Sequence, residues 1–418
     1  MDIKRDKYLN DLIERMHNGM IKIVTGLRRV GKSYLLFKIF KQYLLASGVP
    51  EDHLIEINLD DRANIELRDP DKFYKFVRSK ITDSGQFYVL IDEVQFLPDF
   101  EDVLNGFLHI DNLDTYVTGS NSRFLSKDVA TEFRGRGDEI HIYPLTFKEY
   151  YACSGGDVYR AWADYIVYGG LPYVATLKSE ERKTGYLSNL FQTTYLKDII
   201  ERNRIEKTQE LEDLINVLAS SAGSLSNPSK IKATMESELR SKISLNTIKS
   251  YIDYLEEAFV LNTAYRYDIK GRRYIGAPLK YYFEDVGLRN ARLGFRQVEE
   301  PHIMENIIFN ELRFRGFSVD VGVVKTRELN PDGNQQRKQL EIDFVANKGN
   351  RKFYLQSALS LLDENKIRQE KASLVNVDDS FKKIIVVKDI INIQRDEDGI
   401  NKISVFDFLL DENSLIIS

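Results

Sequence analysis

The stretch that most constrains the fold is Gly-Leu-Arg-Arg-Val-Gly-Lys-Ser at residues 26–33, which fits the phosphate-loop pattern G-x-x-x-x-G-K-[ST]. Residues 20–25 form an apolar run that predicts a buried strand, and residues 34–40 continue with the apolar spacing of a helix. Glycines allow such a loop to turn its N–H groups inward, and the N-terminus of the helix adds partial positive charge. An ordinary glycine-rich turn is the alternative, but the flanking strand and helix favour a triphosphate site.

The loop motif assigns roles to its polar side chains. Lys32 is expected to reach the β- and γ-phosphates, and the Ser33 hydroxyl is expected to bind Mg²⁺. The residues predicted to surround the nucleotide are Gly26, Leu27, Arg28, Arg29, Val30, Gly31, Lys32, Ser33 and Tyr34. ATP and Mg²⁺ are therefore the expected ligands.

A pair of acids follows a second apolar run. Residues 87–91 predict a buried strand that ends in Asp92 and Glu93, which is the Walker B form. Asp92 is expected to hold Mg²⁺, usually through water, and Glu93 is expected to orient and deprotonate the attacking water. A strand that ends in a solvated acidic turn is common, but the phosphate loop upstream favours a hydrolytic pair.

Polar and basic residues further along supply candidates for contact with the γ-phosphate. A strand predicted at residues 114–118 runs into Gly-Ser-Asn-Ser, so that Asn121 or Ser120 is the candidate sensor, although an ordinary loop also fits. Arg134 and Arg136 precede a strand predicted at residues 139–144. Either arginine could stabilise transition-state charge, in cis or from a neighbouring subunit, or could lie on a solvated turn. A role in trans would make the protein a homo-oligomer.

Length and composition limit the class of protein. A chain of 418 residues predicts two or three domains, and the net charge of −5 restricts any nucleic-acid surface to a local patch. The single cysteine, Cys153, excludes a disulfide framework within the chain and suits the cytoplasm. No signal-peptide pattern is seen, and no apolar run approaches the ~20 residues of a membrane span. We therefore expect a cytoplasmic protein without a membrane partner.

Several motifs together resemble one family. They are GLRRVGKS, VLIDEVQ, TGSNS, the run FRGRGDEIHIYPLTFKEY and, later, YGGLP and ENIIFNEL with EIDF. They resemble the prokaryotic AAA+ ATPases that carry a C-terminal restriction-endonuclease-like domain of unknown function, and the resemblance covers nearly the whole chain. An extra strand between the phosphate-loop strand and the Walker B strand, with a glutamate after the Walker B aspartate, indicates the subclass.

The resemblance and the residue pattern together predict an α/β fold with four segments. Residues 1–145 are expected to form an AAA-type ATPase core, a P-loop NTPase of the additional-strand, catalytic-glutamate type. Residues 146–207 are expected to form a helical lid or linker, with Arg202 and Arg204 as candidates for a second sensor. A winged helix-turn-helix (208–290) and a restriction-endonuclease-like α/β domain (291–418) are expected to follow.

The predicted winged helix contains three helices and a hairpin. Its third helix, residues 248–256, could enter a major groove of double-stranded DNA while the hairpin grips phosphate. The candidate DNA contacts are Lys249, Arg266, Lys270, Arg272 and Arg273. Asp253 and Glu256 on the same helix argue against deep insertion, and the alternative is a protein–protein module or a rigid connector.

The predicted order of elements after residue 302, αβββαβ, is that of the restriction-endonuclease-like fold. Active members surround Mg²⁺ with a helix glutamate, a strand aspartate and an E-x-K triplet. Glu305 and Asp343 match the first two positions, whereas Gln356 and Ala358 stand where the acid and the lysine should be. The sequence therefore favours a degenerate, nuclease-inactive site. A migrated site that uses Lys352 or Lys366 is one alternative. Another is that Glu305 and Asp343 persist as hydrogen-bonding groups within the fold.

The leading functional hypothesis is an intracellular Mg²⁺-dependent ATPase that switches its attached domains, with DNA or a protein as the candidate partner. Two other hypotheses stay open. One is an ATP-dependent nuclease, which Gln356 and Ala358 count against. The other is a nucleotide-gated binding or regulatory module with little turnover.

Overall fold

The computed structural model describes residues 3–119, 135–329, 335–361, 363–389 and 394–417. The chain divides into two compact units. The first comprises Met1–Pro144 with Glu257–Phe259, and the second comprises Leu145–Glu256 with Val260–Ser418. Within the described ranges, no helix is both long and apolar enough to cross a bilayer.

The first unit is built on a sheet of five strands. They are β1 (Ile21–Gly26), β2 (Leu54–Asn58), β3 (Phe87–Asp92), β4 (Leu113–Thr118) and β5 (Gly137–Ile142). The order is β2-β3-β4-β1-β5, and all neighbouring strands are parallel. β4 lies between β1 and β3, whereas β2, which comes between them in the sequence, lies at the edge of the sheet beside β3. All the carboxyl ends meet at one edge, which is where ligands of such sheets bind.

Helices bury both faces of this sheet. They are α1 (Asp6–Glu14), α2 (Lys32–Tyr34, then a π-helical stretch Leu35–Phe40, then Lys41–Ala46), α3 (Pro70–Lys80) and α4 (Phe100–Phe107). The carboxylate of Asp69 accepts a hydrogen bond from the Lys72 N–H and so caps α3. Phe73 and Phe107, on α3 and α4, pack against Ile91 in the core. Every residue of β1 and β3 is buried, as expected for a parallel sheet that is covered on both faces.

The second unit begins with helices. In chain order they are α5 (Phe147–Ser154), α6 (Val158–Tyr168), α7 (Pro172–Thr176), α8 (Glu180–Leu190, then a π-helical stretch Phe191–Leu196, then Lys197–Asn203), α9 (Thr208–Ser220), α10 (Pro228–Glu238) and α11 (Leu245–Glu257). Thr146 and Glu149 form a reciprocal capping box at the start of α5. Ser244 caps α11 by accepting a hydrogen bond from the Thr247 N–H. The helices expected between residues 208 and 257 are therefore present.

The Tyr-Gly-Gly-Leu-Pro segment at residues 168–172 is a close packing point in the second unit. A Cβ at Gly170 would lie 2.2 Å from the Leu145 carbonyl oxygen, so that only glycine fits. The carboxylate of Asp285 accepts hydrogen bonds from the N–H groups of Gly170 and Leu288. Asp285 thereby joins this turn to the start of a later helix, α12 (Val286–Arg292).

An eight-stranded sheet completes the second unit. Its strands are β6 (Leu261–Asp268), β7 (Arg273–Phe283), β8 (Ser318–Leu329), β9 (Gln335–Lys348), β10 (Arg351–Ala358), β11 (Lys382–Val387), β12 (Gln394–Arg395) and β13 (Ile400–Ser404). The order is β12-β13-β11-β10-β9-β8-β6-β7. The remaining helices are α13 (Glu300–Phe314), α14 (Glu364–Val375), α15 (Val405–Leu410) and α16 (Ser414–Ile417).

This sheet corrects the predicted boundary between residues 290 and 291. The hairpin β6–β7, expected to be the wing of a separate domain, pairs through β6 with β8 in parallel, from Arg266 opposite Val321 to Asp268 opposite Val323. Strand periodicity predicts the hairpin, but it does not show which strand covers the edge of β6. The segments 208–290 and 291–418 consequently share one sheet.

Candidate nucleotide site

The loop between β1 and α2 is shaped by its glycines. Gly26 has a φ of +133°, and a Cβ on it would lie 2.2 Å from the Ile142 carbonyl oxygen on β5. Gly31, with a φ of +101°, turns the chain into α2, which begins at Lys32. The first N–H groups of α2 have no earlier carbonyls of the same helix to bond to, so this end of the helix suits an anion.

Lys32 is held inside the loop. Its side chain is 5% exposed, and Nζ donates hydrogen bonds to the carbonyl oxygens of Gly26 at 2.9 Å and Leu27 at 3.1 Å. These contacts keep the ammonium group at the concave side of the loop. Contact of Lys32 with the β- and γ-phosphates stays a prediction.

Ser33 and Asp92 meet at the same edge of the sheet. The Ser33 hydroxyl donates a hydrogen bond to Asp92 Oδ1 at 2.9 Å, which leaves the lone pairs of the hydroxyl oxygen for a cation. Burial raises the pKa of the Asp92 carboxyl, while hydrogen bonds from Thr118 and Ser33 act against this rise. A hydroxyl and a carboxylate are oxygen ligands of the kind that Mg²⁺ takes. The residues present thus fit the metal that the loop motif implies.

Thr118, the last residue of β4, links the two acids. Its hydroxyl donates to Asp92 Oδ1 at 2.5 Å and accepts from the Glu93 N–H at 2.9 Å. Thr118 was not predicted from the sequence, in which the candidate sensors lie further along the loop. Its contact with the two acids depends on β4 being the neighbour of β3, which only the structure shows.

Glu93 follows directly after β3 in an unusual backbone conformation. Its φ is +52°, in the left-handed region that side chains other than glycine rarely adopt. Glu93 Oε2 accepts a hydrogen bond from the Gln95 amide. The turn and this amide together set the direction of the carboxylate beside Asp92.

The other predicted residues of this site have different outcomes. Ser120, Asn121 and Arg134 lie outside the described residues. Arg136 is exposed, and its carbonyl oxygen accepts from the Ile21 N–H at the amino end of β1. Since β1 and β5 are parallel, Arg136 lies about 20 Å from the loop edge, six residues at ~3.3 Å each. A role in cis for Arg136 is therefore wrong, and a role in trans stays a prediction.

The five candidate DNA contacts differ in their exposure to solvent. Lys249, Arg272 and Arg273 are exposed, and exposed Lys270 forms an ion pair with Asp378 at 3.3 Å. Arg266 is only 7% exposed, and its guanidinium donates to Gln339. The structure therefore corrects the proposal of Arg266 as a DNA contact.

The structure brings two of the degenerate nuclease residues together around Lys280, which the sequence did not single out. Glu305 and Asp343 both contact Lys280 of β7. The proposed substitutes for the missing lysine are engaged elsewhere. Lys366 pairs with Glu370 at 2.7 Å, and Lys352 lies over the rings of Tyr267 and Phe381.

Comparison with known protein families finds matches to two parts of the chain, one of which contains the phosphate loop. Residues 18–151 match the family model of an AAA domain, and residues 159–299 match a domain of unknown function (DUF8612). Together with the parallel sheet and the phosphate loop, the first match defines the class: this is a P-loop protein with an AAA domain.

Two relatives extend the similarity over the chain. An uncharacterized protein of Haemophilus influenzae is 35% identical over 414 residues, which are 98% of each chain. An uncharacterized protein of Methanocaldococcus jannaschii is 28% identical over 384 residues, which are 88% of this chain and 81% of the relative. The chain belongs to the same family as the Haemophilus protein.

Solved structures show weaker similarity. The Orc1 protein of Aeropyrum pernix, in complex with DNA, is 13% identical and covers 70% of this chain and 93% of its own, with a TM-score of 0.29. Cdc6p of Pyrobaculum aerophilum is 12% identical over 72% of this chain and 93% of its own, with a TM-score of 0.28. TM-scores this low do not establish a shared overall fold.

Proposed function

We propose that the protein is a Mg²⁺-dependent ATPase. The observation that carries this proposal is the hydrogen-bonded chain from Ser33 through Asp92 and Thr118 to Glu93, located at the same sheet edge as Lys32. A site that only bound nucleotide would need the loop and Lys32. The placement of a second acid directly after Asp92 adds the base that hydrolysis requires.

The chemistry is in-line attack of water on the γ-phosphate. The loop N–H groups and Lys32 offset the charge on the β- and γ-phosphates, and Ser33 and Asp92 would hold the metal. Mg²⁺ supplies further neutralisation of phosphate charge when it is bound. Glu93 orients the attacking water and accepts its proton. Thr118 holds the two acids, Asp92 and Glu93, in a fixed position relative to each other.

We further propose that turnover switches the second unit between states. Double-stranded DNA is the candidate partner, and the exposed side chains of Lys249, Arg272 and Arg273 support it. The winged-helix and nuclease-like assignments within residues 208–418 belong to this proposal. Phosphate contacts of this kind weaken steeply with salt, whereas an apolar protein partner would not show that dependence.

The test is phosphate release by the purified full chain. Lys32→Ala and Glu93→Gln are expected to lower kcat by at least about 100-fold, because they remove the phosphate ligand and the base. Glu93→Gln should still bind ATP. The matched control is Lys38→Ala, an exposed lysine on the same helix α2, which should leave the rate unchanged. Unchanged release in both site variants would refute the ATPase.

A second arm of the experiment addresses DNA. We expect double-stranded DNA to raise the ATPase rate, and we expect replacement of Arg272 and Arg273 by alanine to remove the stimulation but leave the basal rate intact. If DNA binds with no dependence on salt or on these arginines, the hairpin is not the contact surface.

A further inference from the structure

Lys280 is a buried cation within a group of acids. Its side chain is 3% exposed and projects from β7. Nζ lies 2.8 Å from Glu305 Oε1, 2.8 Å from Glu341 Oε1 and 3.3 Å from Asp343 Oδ1. The acids come from α13 and β9, so a single ammonium group joins three elements of the second unit.

The resemblance to restriction endonucleases implies Mg²⁺ at Glu305 and Asp343, and the residues present do not fit that ion. The three carboxylates lie at hydrogen-bonding distances around an ammonium nitrogen, whereas Mg²⁺ needs oxygen ligands at ~2.0–2.1 Å in an octahedron. In the part of the chain that the structure describes, no three His, Cys, Asp or Glu side chains converge as ligands for a metal.

The other atoms and residues at the positions of the nuclease site also make contacts within the fold. Asp343 Oδ2 accepts a hydrogen bond from the Ser357 N–H at 2.9 Å. Gln356 Oε1 accepts from the Asp343 N–H at 3.3 Å, so that the amide oxygen is turned toward the backbone. Ala358, at the position of the catalytic lysine, is buried in an apolar cluster with Val345 and Leu374.

We propose that Lys280 takes the place of the divalent cation, so that these acids form an internal ion cluster rather than a metal centre. The cluster holds β7 against α13 and β9. Tyr282 supports it, because its hydroxyl donates to Glu305 Oε1 at 2.6 Å. The second unit then folds without metal and has no divalent cation at these acids with which to cleave a phosphodiester.

If Lys280 compensates the negative charge of the three acids, its replacement should lower the stability of the protein. Lys280→Met keeps the apolar stem but leaves three acids without their cation, which is strongly destabilising for buried charges. We expect the Tm to fall by roughly 10 °C or more. Adding Glu305→Gln and Asp343→Asn to Lys280→Met should recover at least half of this loss. Lys270→Met, an exposed lysine beside the same hairpin, is the control and should change the Tm by less than about 2 °C.

Metal binding provides the second readout. The full chain is titrated with Mn²⁺, and bound ion is measured by electron paramagnetic resonance. Asp343→Asn should bind as much Mn²⁺ as the wild type. Mg²⁺, Mn²⁺ and EDTA should leave the Tm step of the second unit unchanged. Mn²⁺ binding or DNA cleavage that Asp343→Asn abolishes would overturn the proposal, as would a triple variant no more stable than Lys280→Met alone.

Discussion

Replacing Thr118 by valine tests whether the link between the two acids matters for hydrolysis. Valine has nearly the shape of threonine, and Thr118 is fully buried, so the change removes a hydroxyl with little change in packing. The hydroxyl makes two hydrogen bonds, one to Asp92 and one from the Glu93 N–H. Both acids should therefore lose their common support while the phosphate loop is untouched.

The size of the effect follows from these two bonds. A buried polar group left without its partner costs about 1–3 kcal/mol, and Asp92 still keeps its hydrogen bond from Ser33. If about 1.4–2.8 kcal/mol of this cost appears in the transition state, kcat falls about 10–100-fold. KM for ATP should change by less than about threefold, because Lys32 and the loop N–H groups are intact.

The pH profile gives an independent readout of the same change. The hydrogen bond from Thr118 holds down the pKa of Asp92, which burial raises. Without that bond the pKa rises further, so a higher pH is needed to ionise Asp92. The acidic limb of kcat/KM should therefore move to higher pH in Thr118→Val.

The control for Thr118 lies on the same strand. Thr115 is also a buried threonine of β4 but lies toward its amino end, away from the acids. Thr115→Val should leave kcat and the pH profile near those of the wild type. An unchanged kcat in Thr118→Val, or an equal loss in both variants, would refute the assigned role.

Two predictions concern positions fixed by packing. Gly26→Ala should abolish ATP binding and cost more than about 3 kcal/mol of stability, measured by urea unfolding, because its Cβ meets the Ile142 carbonyl at 2.2 Å; Gly185→Ala, with open space at its Cβ, should be neutral or stabilising. Burial raises the pKa of Asp285 to about 6 from 3.8, so ionising this carboxyl between those pH values costs the native state about 3 kcal/mol. The wild type should lose about that much stability relative to Asp285→Asn as the pH rises from below 4 to above 6, and a difference independent of pH would contradict the assignment.

Local patterns accounted for the parts of the nucleotide site that are contiguous in sequence. Gly26 to Ser33 and the pair Asp92–Glu93 each lie next to a strand whose apolar run is readable without a structure. Thr118 was not predicted, because its role depends on β4 being the neighbour of β3. Strand order is set by how helices and strands pack over the whole sheet, which no local window contains.

The predictions for the second unit that were wrong, the boundary after residue 290 and the DNA contact by Arg266, also depended on contacts between distant parts of the chain. The hairpin β6–β7 was predicted correctly, but the partner of β6 is β8, more than fifty residues away in the chain. In the folded unit Arg266 is buried, and Lys280 lies near acids of α13 and β9. Residue type along the hairpin could not separate these two from the exposed Arg272 and Arg273, because the sequence of a strand does not show which elements cover each face of the sheet.

The two acidic sites differ in the groups that contact their carboxylates. This difference determines how readily each site can bind a divalent cation. At the first, Asp92 accepts hydrogen bonds from the neutral hydroxyls of Ser33 and Thr118, so its negative charge can still attract a cation. At the second, Asp343 and Glu305 face the ammonium group of Lys280, which already neutralises them in part. A divalent ion entering the second site would have to displace a buried cation that is covalently part of the chain. At the first site, the hydrogen bonds to Asp92 come from neutral hydroxyls, and the ammonium group of Lys32 is the smallest of the influences on its pKa. We therefore assign the metal-dependent step to the nucleotide site.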